Sequence, residues 1–390
     1  MPEANADVIV VGGGPVGATL ALSLAQSALA LKLVVLEAQA DDAVGRDTRT
    51  LALSHGSRLI LERIGIWRKL TAVTPITQIH ISQRGSFGRA LLSAQEIGLP
   101  ALGYVVSFAA LRHALHTALQ ECGARYVTGA KVSQATPDPL AASVQYTHHG
   151  VSHTLASRLV ALADGGRSLQ EIPGIVRISR DYHQAAVVCQ VSTELPHNNL
   201  AYERFTEDGP AALLPSGEDY ALVWSASPER AAQIMALSET DFLLQLHAHF
   251  GDRQGRFLKA ESRSSFPLSL SKSQPLTRPR LVLIGNAAQM LHPVAGQGFN
   301  MGLRDAWELA QQIFSFAPEA MGSAAMLAQY VAGRRVDTQG GIFFTDLLVR
   351  GFSNQLTGLG LARGLAISAL DMLPPVKSFV VRRMTFGAKG

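Results

Sequence analysis

The sequence predicts an α/β fold: a Rossmann-like nucleotide-binding domain assembled from separated segments, with an inserted β-sheet domain and a helical C-terminal region. Three observations carry that expectation. An apolar strand of the fully buried kind, Asp7–Val11, runs into the turn Gly12-Gly13-Gly14 and then into an uncharged helix, Pro15–Leu29. Far down the chain a second such strand, Leu281–Ile284, runs into a loop holding Gly285, Gly296, Gly298 and Gly302. Between them the texture changes to alternating, β-branched segments.

Each element follows from its pattern. Lys32–Glu37 is a second buried strand and completes a βαβ unit. Leu59–Leu70 and Leu111–Cys122 place apolar residues at helical spacing. Arg158–Ala163 is a third apolar strand, ended by Asp164-Gly165-Gly166. His183–Val191, Tyr220–Ala226 and Arg263–Leu270 alternate and are bounded by Gly, Pro and Asp, as in an antiparallel sheet. Ile76–Leu92 has the same mixed β character, and Leu303–Ala310 reads as a helix. Residues 1–75, 100–180 and 280–340 are therefore expected in the nucleotide-binding domain. Residues 76–99 and 181–279 fall in a β-rich substrate domain, and 341–390 in a C-terminal helical region.

Composition narrows the function classes. A formal charge of +4, with no basic cluster interleaved with aromatics, gives no case for nucleic acid. Cys122 and Cys189 are far apart and outside any CxxC, which argues for a reducing compartment without disulfide framework or zinc site. No metal-ligand cluster is evident. Val8–Leu31 is uncharged but has no basic n-region. Gly12–Pro15 breaks it, and Thr19, Ser23, Gln26 and Ser27 are spread along it, so it reads as neither signal peptide nor span. The expected location is cytoplasmic. The C-terminal region is apolar (Phe343, Phe344, Leu347, Leu348, Phe352) and carries Arg350, Arg363, Lys377, Arg382, Arg383 and Lys389 against Asp371. It fits equally a peripheral contact at the inner membrane face, a partner surface, or a helical layer packed on the core.

Gly12-x-Gly14-x-x-Gly17, after a strand and opening a helix, is the dinucleotide fingerprint in its required context. The first glycine makes the turn, the second admits a pyrophosphate, and the third lets helix and strand approach. Glu37 ends the next strand, where a carboxylate accepts from both ribose hydroxyls and would repel a 2′-phosphate. Asp164-Gly165 is a second candidate contact, although the pair alone also reads as a strand-ending turn. Asn286 is placed to bond a ribose hydroxyl, with the same alternative. A single fingerprint leaves two options: the chain binds NAD alone, or it holds FAD and meets its reductant elsewhere.

These motifs, in this order, resemble the class A FAD-dependent aromatic hydroxylases of the para-hydroxybenzoate hydroxylase type, over nearly the whole chain. Gly285–Ala306 (GNAAQMLHPVAGQGFNMGLRDA), with AYERF at Ala201–Phe205, ALLPSG at Ala212–Gly217, YALVWS at Tyr220–Ser225 and the Arg363–Lys377 run, is most similar to the ubiquinone-biosynthesis branch, above all its 2-polyprenyl-6-methoxyphenol hydroxylases. The resemblance implies that Gly12, Gly14 and Gly17 hold the pyrophosphate, that Glu37 holds the adenosine ribose, and that Arg49 lies along the FAD. It implies that Asp164 and Gly165 serve both FAD and the passing nicotinamide nucleotide. Asn286, Pro293, Gly296, Gln297, Gly298 and Asn300 would wrap the ribityl chain and isoalloxazine. Asn286 and Gln289 stand where the wider family has Asp and His, and Ser168-Leu169 where its second motif ends in Arg. Phe108 falls where many relatives have Asn or Gln, and no role is carried over to it.

The implied reaction uses FAD reduced by NAD(P)H. A flavin C4a-hydroperoxide then hydroxylates the ring of a polyprenylated phenol with dioxygen as co-substrate, in a site that excludes water. Alternatives are a sister hydroxylase acting at another ring position or on a soluble aromatic acid, a non-oxygenating flavoprotein dehydrogenase, and a scaffold among other quinone-biosynthesis proteins. His292 with Pro293, beside the expected flavin position, is the first candidate for the base that activates the phenol; His55 and Tyr202 are the others. Each of these is also a common structural hydrogen-bonder.

Overall fold

The glycine turn at the N-terminus joins strand Ala6–Val11 to helix Pro15–Ala25, and Leu33–Leu36 returns parallel to the first strand. The structure is a computed structural model that describes residues 5–40, 49–85, 87–169, 172–292, 296–352 and 359–389. Leu281–Leu283, Val151–Leu162, Ala6–Val11, Leu33–Leu36 and Arg125–Val127 lie side by side as a parallel sheet in that spatial order. The three glycine-bearing motifs thus leave the carboxyl ends of three adjacent parallel strands. That end of an open α/β sheet is where ligands bind.

The two faces of this sheet are covered differently. One packs on helices Pro15–Ala25, Phe108–Glu121 and Gln297–Phe314 through Val8, Val10, Leu20, Leu111 and Leu303. The other is covered by an antiparallel ribbon, Lys131–Thr136 and Ala142–His148 folded back on Val151–Leu162, which buries Ala135, Val144 and Tyr146 on Ile9 and Leu162. Its own alternation (Val144 and Tyr146 inward, Gln145 outward) suits a half-buried ribbon.

The second sheet has eight strands in the order Gln289–Met290, Phe257–Gln274, Val176–Thr193, Asp219–Ala226, Pro210–Ser216, Leu200–Phe205, Gln78–Gln83 and Arg89–Ser93. One face buries Val187, Leu213, Leu222 and Trp224 against helices Pro228–Ala236 and Glu239–Phe250. The opposite face carries Ile79, Ile81, Leu92, Ala201 and Leu214. It meets a three-stranded sheet (Thr50–Ser54, Gly103–Ser107, Thr74–Ile76) and helix Pro374–Phe386.

Several expectations shift. Val176–Thr193 already belongs to the second sheet before residue 181, because it pairs along its length with Phe257–Gln274. The helix expected at Leu59–Leu70 is His55–Arg63, started by the Ser54 hydroxyl accepting from the Ser57 amide and stopped before the left-handed Gly65. No new region begins at 341: helix Ala324–Phe352 runs through Gly340-Gly341. Those glycines are close-approach points rather than a break. A Cβ on Gly340 would strike the Arg383 guanidinium, and one on Gly341 the Met301 side chain. Two further helices, Leu359–Met372 and Pro374–Phe386, meet at a 96° bend. Among the described residues no single helix is long and apolar enough to cross a membrane, and no group of side chains could hold a metal. Cys122 and Cys189 are both free.

Candidate active site

At Gly12, φ is +101° and a Cβ would lie 2.8 Å from the Ala163 carbonyl carbon, so the first glycine lets the turn pass beneath the second motif. A Cβ on Gly17 would overlap the Gly12 carbonyl oxygen, so the helix can sit this close only without a side chain there. Gly14 differs. Its backbone is extended (φ −63°, ψ 176°) and a Cβ there would meet nothing within 4 Å. No side chain caps the helix that follows. Its first-turn amides therefore face open space with their dipole, as an anionic pyrophosphate requires.

The Glu37 carboxylate accepts from the Gly13 amide at 2.7 Å and the Gln39 amide at 2.8 Å, clamping the turn to the second strand while retaining lone pairs for a ligand. Asp164 closes the next turn by accepting from the Gly166 amide (2.9 Å), the Ser168 amide (2.8 Å) and the Ser168 hydroxyl. Asp164 closes this turn and also lines the cleft. That cleft measures about 570 Å³ and is lined by Gly12–Pro15, Glu37, Arg49, Phe108, Arg112, Asp164 and Arg167 among others. Among the described residues, Arg49, Arg112, Lys131 and Arg167 oppose Glu37 and Asp164 around it, a balance that suits a diphosphate. The Arg49 guanidinium stands over the rings of Phe108 (5.1 Å) and Phe266 (5.8 Å), where the cleft meets the second sheet.

The third motif is braced rather than open. Gly285 and Gly302 both approach the Val16 side chain, which seats helix Gln297–Phe314 on helix Pro15–Ala25. Asp305 accepts from the Gly285 amide (3.1 Å), the Gln289 side-chain amide (2.8 Å) and Arg334 Nε (2.8 Å). Arg334 also pairs with Asp337 at 2.8 Å, and Arg304 with Asp337 at 2.7 Å. Arg334 is held protonated by the two carboxylates, and Arg304 and Arg334 hold Asp337 below the usual carboxylate range despite its burial. Gln289 is thus a brace for the motif. Asn286 is exposed; its carbonyl accepts from Arg177 Nη2 at 3.4 Å, and Arg177 also donates to the Gly165 carbonyl (3.1 Å) and the Ser271 hydroxyl (2.8 Å). Arg177 therefore ties the second and third motifs together.

Gly296 (φ +60°) precedes the helix, and Gly298 lies in ordinary contact with Leu291. Asn300 accepts from the Ser54 amide (2.8 Å) and donates to the Ala52 carbonyl (2.9 Å), pinning strand Thr50–Ser54 to the helix. Gln297 and Asn300, with Ser54 and Thr385, line a second, mostly apolar cavity of about 70 Å³, whose other walls include Ile79, Leu92, Leu102, Val381 and Met384. Pro293 lies outside the described residues.

The three base candidates are far from equivalent. His292 is fully buried, its Nε2 is 3.1 Å from the Gln184 side-chain oxygen, and its ring meets Tyr182 edge-on. Burial pulls its pKa down to about 4, so at neutral pH it is an uncharged ring donating to Gln184. His55 is buried beside the Tyr104 hydroxyl (3.4 Å), and burial and then Arg58 lower its pKa. Tyr202 packs with Tyr220 and His80 on the helix-covered face of the second sheet, away from the cleft. Arg112 and His116, which also line the cleft, had a readable signal: with Phe108 they fall at i, i+4 and i+8 of one helix. Arg177, Asp305 and Arg334 had none, since their partners are distant in sequence.

Comparison with known proteins agrees with this geometry. Residues 5–340 match the family described as FAD binding domain. The chain is 35% identical to the ubiquinone hydroxylase UbiL of Rhodospirillum rubrum, covering 97% of this chain and 89% of that protein. It is 30% identical to the 3-demethoxyubiquinol 3-hydroxylase of Escherichia coli, covering 95% and 96%. In fold it is similar to the p-nitrophenol 4-monooxygenase PnpA of Pseudomonas putida, with a TM-score of 0.78 at 18% identity over 98% of both chains. The chain belongs to the class A FAD-dependent aromatic hydroxylases, in their ubiquinone-biosynthesis branch, and is a flavin-dependent aromatic monooxygenase with FAD as its cofactor.

Proposed function

We propose that this enzyme hydroxylates the ring of a polyprenylated phenol of the 2-polyprenyl-6-methoxyphenol kind, with NAD(P)H as reductant. The balance is phenol, dioxygen, NAD(P)H and a proton giving the dihydroxylated ring, NAD(P)⁺ and water. Bound FAD supplies the activation of dioxygen; the chain binds, orients and keeps water out. Gly12, Gly14 and Gly17 would receive the pyrophosphate, Glu37 the adenosine ribose, and Arg49, Asp164 and Gly165 the length of the cofactor. Asn286, Pro293, Gly296, Gln297 and Gly298 would border the ribityl and ring end. Asn300 contributes there through the strand that it pins. His292 shapes this wall as a neutral donor.

The observation that carries the substrate class is the apolar cavity between the second sheet and helix Pro374–Phe386, bordered by Gln297 and Asn300 at the start of the third-motif helix. A prenyl tail needs such walls. The test is the quinone-precursor profile of a deletion strain. Accumulation of the phenol that lacks one ring hydroxyl supports the reading, and the identity of that phenol distinguishes a sister hydroxylase acting at another ring position. A purified holoenzyme that makes only hydrogen peroxide with every prenylated phenol overturns it in favour of a non-oxygenating flavoprotein.

Such a substrate resides in a bilayer, and the last two helices offer a contact. Met372, Leu373, Val376 and Phe379 are exposed around their bend, Met372 by 78% and Phe379 by 67%. The basic excess of this region is only partly displayed with them: Arg382 is exposed. Arg363 is buried, and Lys377 is buried in pairs with Glu96 (2.9 Å) and Asp371 (3.3 Å). Docking would therefore rest on apolar insertion more than on lipid charge. The double variant Met372→Ser, Phe379→Ser is expected to bind neutral vesicles at least about tenfold more weakly while turning over a short-tailed phenol normally. Unchanged sedimentation with vesicles would sink the contact.

A further inference from the structure

Glu203 lies in strand Leu200–Phe205, paired with Ile81 on one side and Ala212 on the other. Strand alternation turns Tyr202 and Arg204 to the helix-covered face and Glu203 to the opposite one. That opposite face meets the cofactor-binding half at three points. Phe266 lies under Arg49, Gln184 is bonded to His292, and Ile79 and Leu92 border the cavity that holds Gln297 and Asn300. Between these points the residues in register with Glu203 are small: Ala212, then Val223, then Val188. They belong to none of the apolar clusters and remain part-exposed, although they stand on the face turned inward. Glu203 and this row are thus part-exposed on the same face that carries those three points.

Glu203 is the only ionisable residue in that row, and it makes no hydrogen bond or ion pair among the described residues. Desolvation alone pushes its carboxyl up to about 7. The charged groups on the packed elements are engaged or turned out. Lys377 is paired with Glu96 and Asp371, Arg383 donates to the Val336 carbonyl, and Arg89 and Arg382 are exposed. Tyr104 meets His55, Arg49 lies over Phe108, and His292 faces Gln184. A part-exposed carboxyl with no structural partner, on the face turned to the cofactor-binding half and raised by desolvation, is a candidate for chemistry.

We propose that Glu203 is the general base of the hydroxylation and takes the phenolic proton from the substrate ring. This rests on the aromatic-hydroxylase reading above. The phenolic O–H bond breaks and an O–H bond forms on the carboxylate. The freed electron pair moves through the ring to the carbon that receives the oxygen atom, leaving a ring dienone. As the C–H proton leaves that carbon toward the departing water, the dienone oxygen takes the proton back from Glu203, so the carboxylate is regenerated and the overall balance stands.

The test compares wild type, E203Q and E203D holoenzymes on a short-tailed 2-prenylphenol, reading hydroxylated product and hydrogen peroxide per NAD(P)H consumed. In wild type the product rate should rise as pH rises through about 7, where the base loses its proton. E203Q should hydroxylate about 10²-fold more slowly and lose that rise, with peroxide replacing product and flavin content retained. E203D should recover part of the rate and the pH dependence. In the flavin-free protein, infrared titration should show a carboxyl losing its proton near pH 7 in wild type and not in E203Q. Wild-type product yield and pH profile in E203Q overturn the proposal. Should E203Q fail to fold, E203D decides: a shifted pH profile with more peroxide supports the base, and an unaltered one overturns it. A wild type that hydroxylates no prenylated phenol defeats the parent reading and this one with it, while the infrared titration still reads Glu203 by itself.

Discussion

Gly14→Glu is expected to give a folded protein that does not retain FAD, whereas Gly17→Ala is expected to lose both stability and FAD. The two glycines lie in one turn but do different work. At Gly14 the backbone is in an extended conformation open to any residue, and nothing of the protein stands within 4 Å of a new Cβ. The added carboxylate would occupy the space before the helix amides that the pyrophosphate needs, and would repel it. Juxtaposed like charges of this kind cost several kcal/mol, so about 10²-fold or more in FAD affinity should be lost. At Gly17 the new methyl group would meet the Gly12 carbonyl, which belongs to the backbone and cannot swing aside. Helix and strand must separate, at about 1–3 kcal/mol or more. Flavin retained after gel filtration, together with urea unfolding of the flavin-free proteins, separates the two effects. A Gly14→Glu protein that keeps its flavin would remove the pyrophosphate from this turn.

The second large effect is expected at Asp305, far from any reacting atom. Asp305→Ala removes the carboxylate shared by the Gly285 amide, Gln289 and Arg334, and leaves Arg334 buried beside Asp337 alone. Breaking one partner of a buried pair costs about 3–5 kcal/mol, a large part of the ~5–15 kcal/mol that holds a typical domain together. The urea midpoint should fall accordingly, and FAD affinity with it, because the Gly285 turn loses its brace. Asp305→Leu combined with Arg334→Met removes both charges and should be more stable than either single change, since an apolar replacement carries no unpaired charge. Equal stability of Asp305→Ala and wild type, in the flavin-free state, would show that the network is not a structural brace.

The N-terminal unit was largely legible in the sequence. Gly12, Gly14, Gly17 and Glu37 report requirements of the local backbone: a left-handed turn, an open approach, a helix packed on its own strand, and an acid at the end of the next strand. The third motif was legible as a location but not as a set of contacts. Asn300 and Gln289 sit where the family pattern places them, yet their side chains are spent on Ser54, Ala52 and Asp305. The glycine pair at 340–341 suggests a boundary by composition, while the helix passes straight through it to receive Arg383 and Met301.

The run Leu200–Phe205 shows the remaining limit. Its alternation of Tyr202, Glu203 and Arg204 defines two faces but not which of them is turned to the cofactor, because that follows from pairing with Gln78–Gln83 and Pro210–Ser216. Tyr202 drew attention as an aromatic hydroxyl and lies on the helix-covered face; Glu203, its neighbour, lies on the opposite one. Sequence by itself determined a dinucleotide site and the order of the elements, because those are written in short-range spacing and backbone geometry, while FAD and the family came with the resemblance of the motifs taken together. Tertiary structure alone decided which charges are paired and, among the described residues, that the Glu203 carboxyl makes no hydrogen bond or ion pair, because burial and pairing are set by residues brought together from distant parts of the chain.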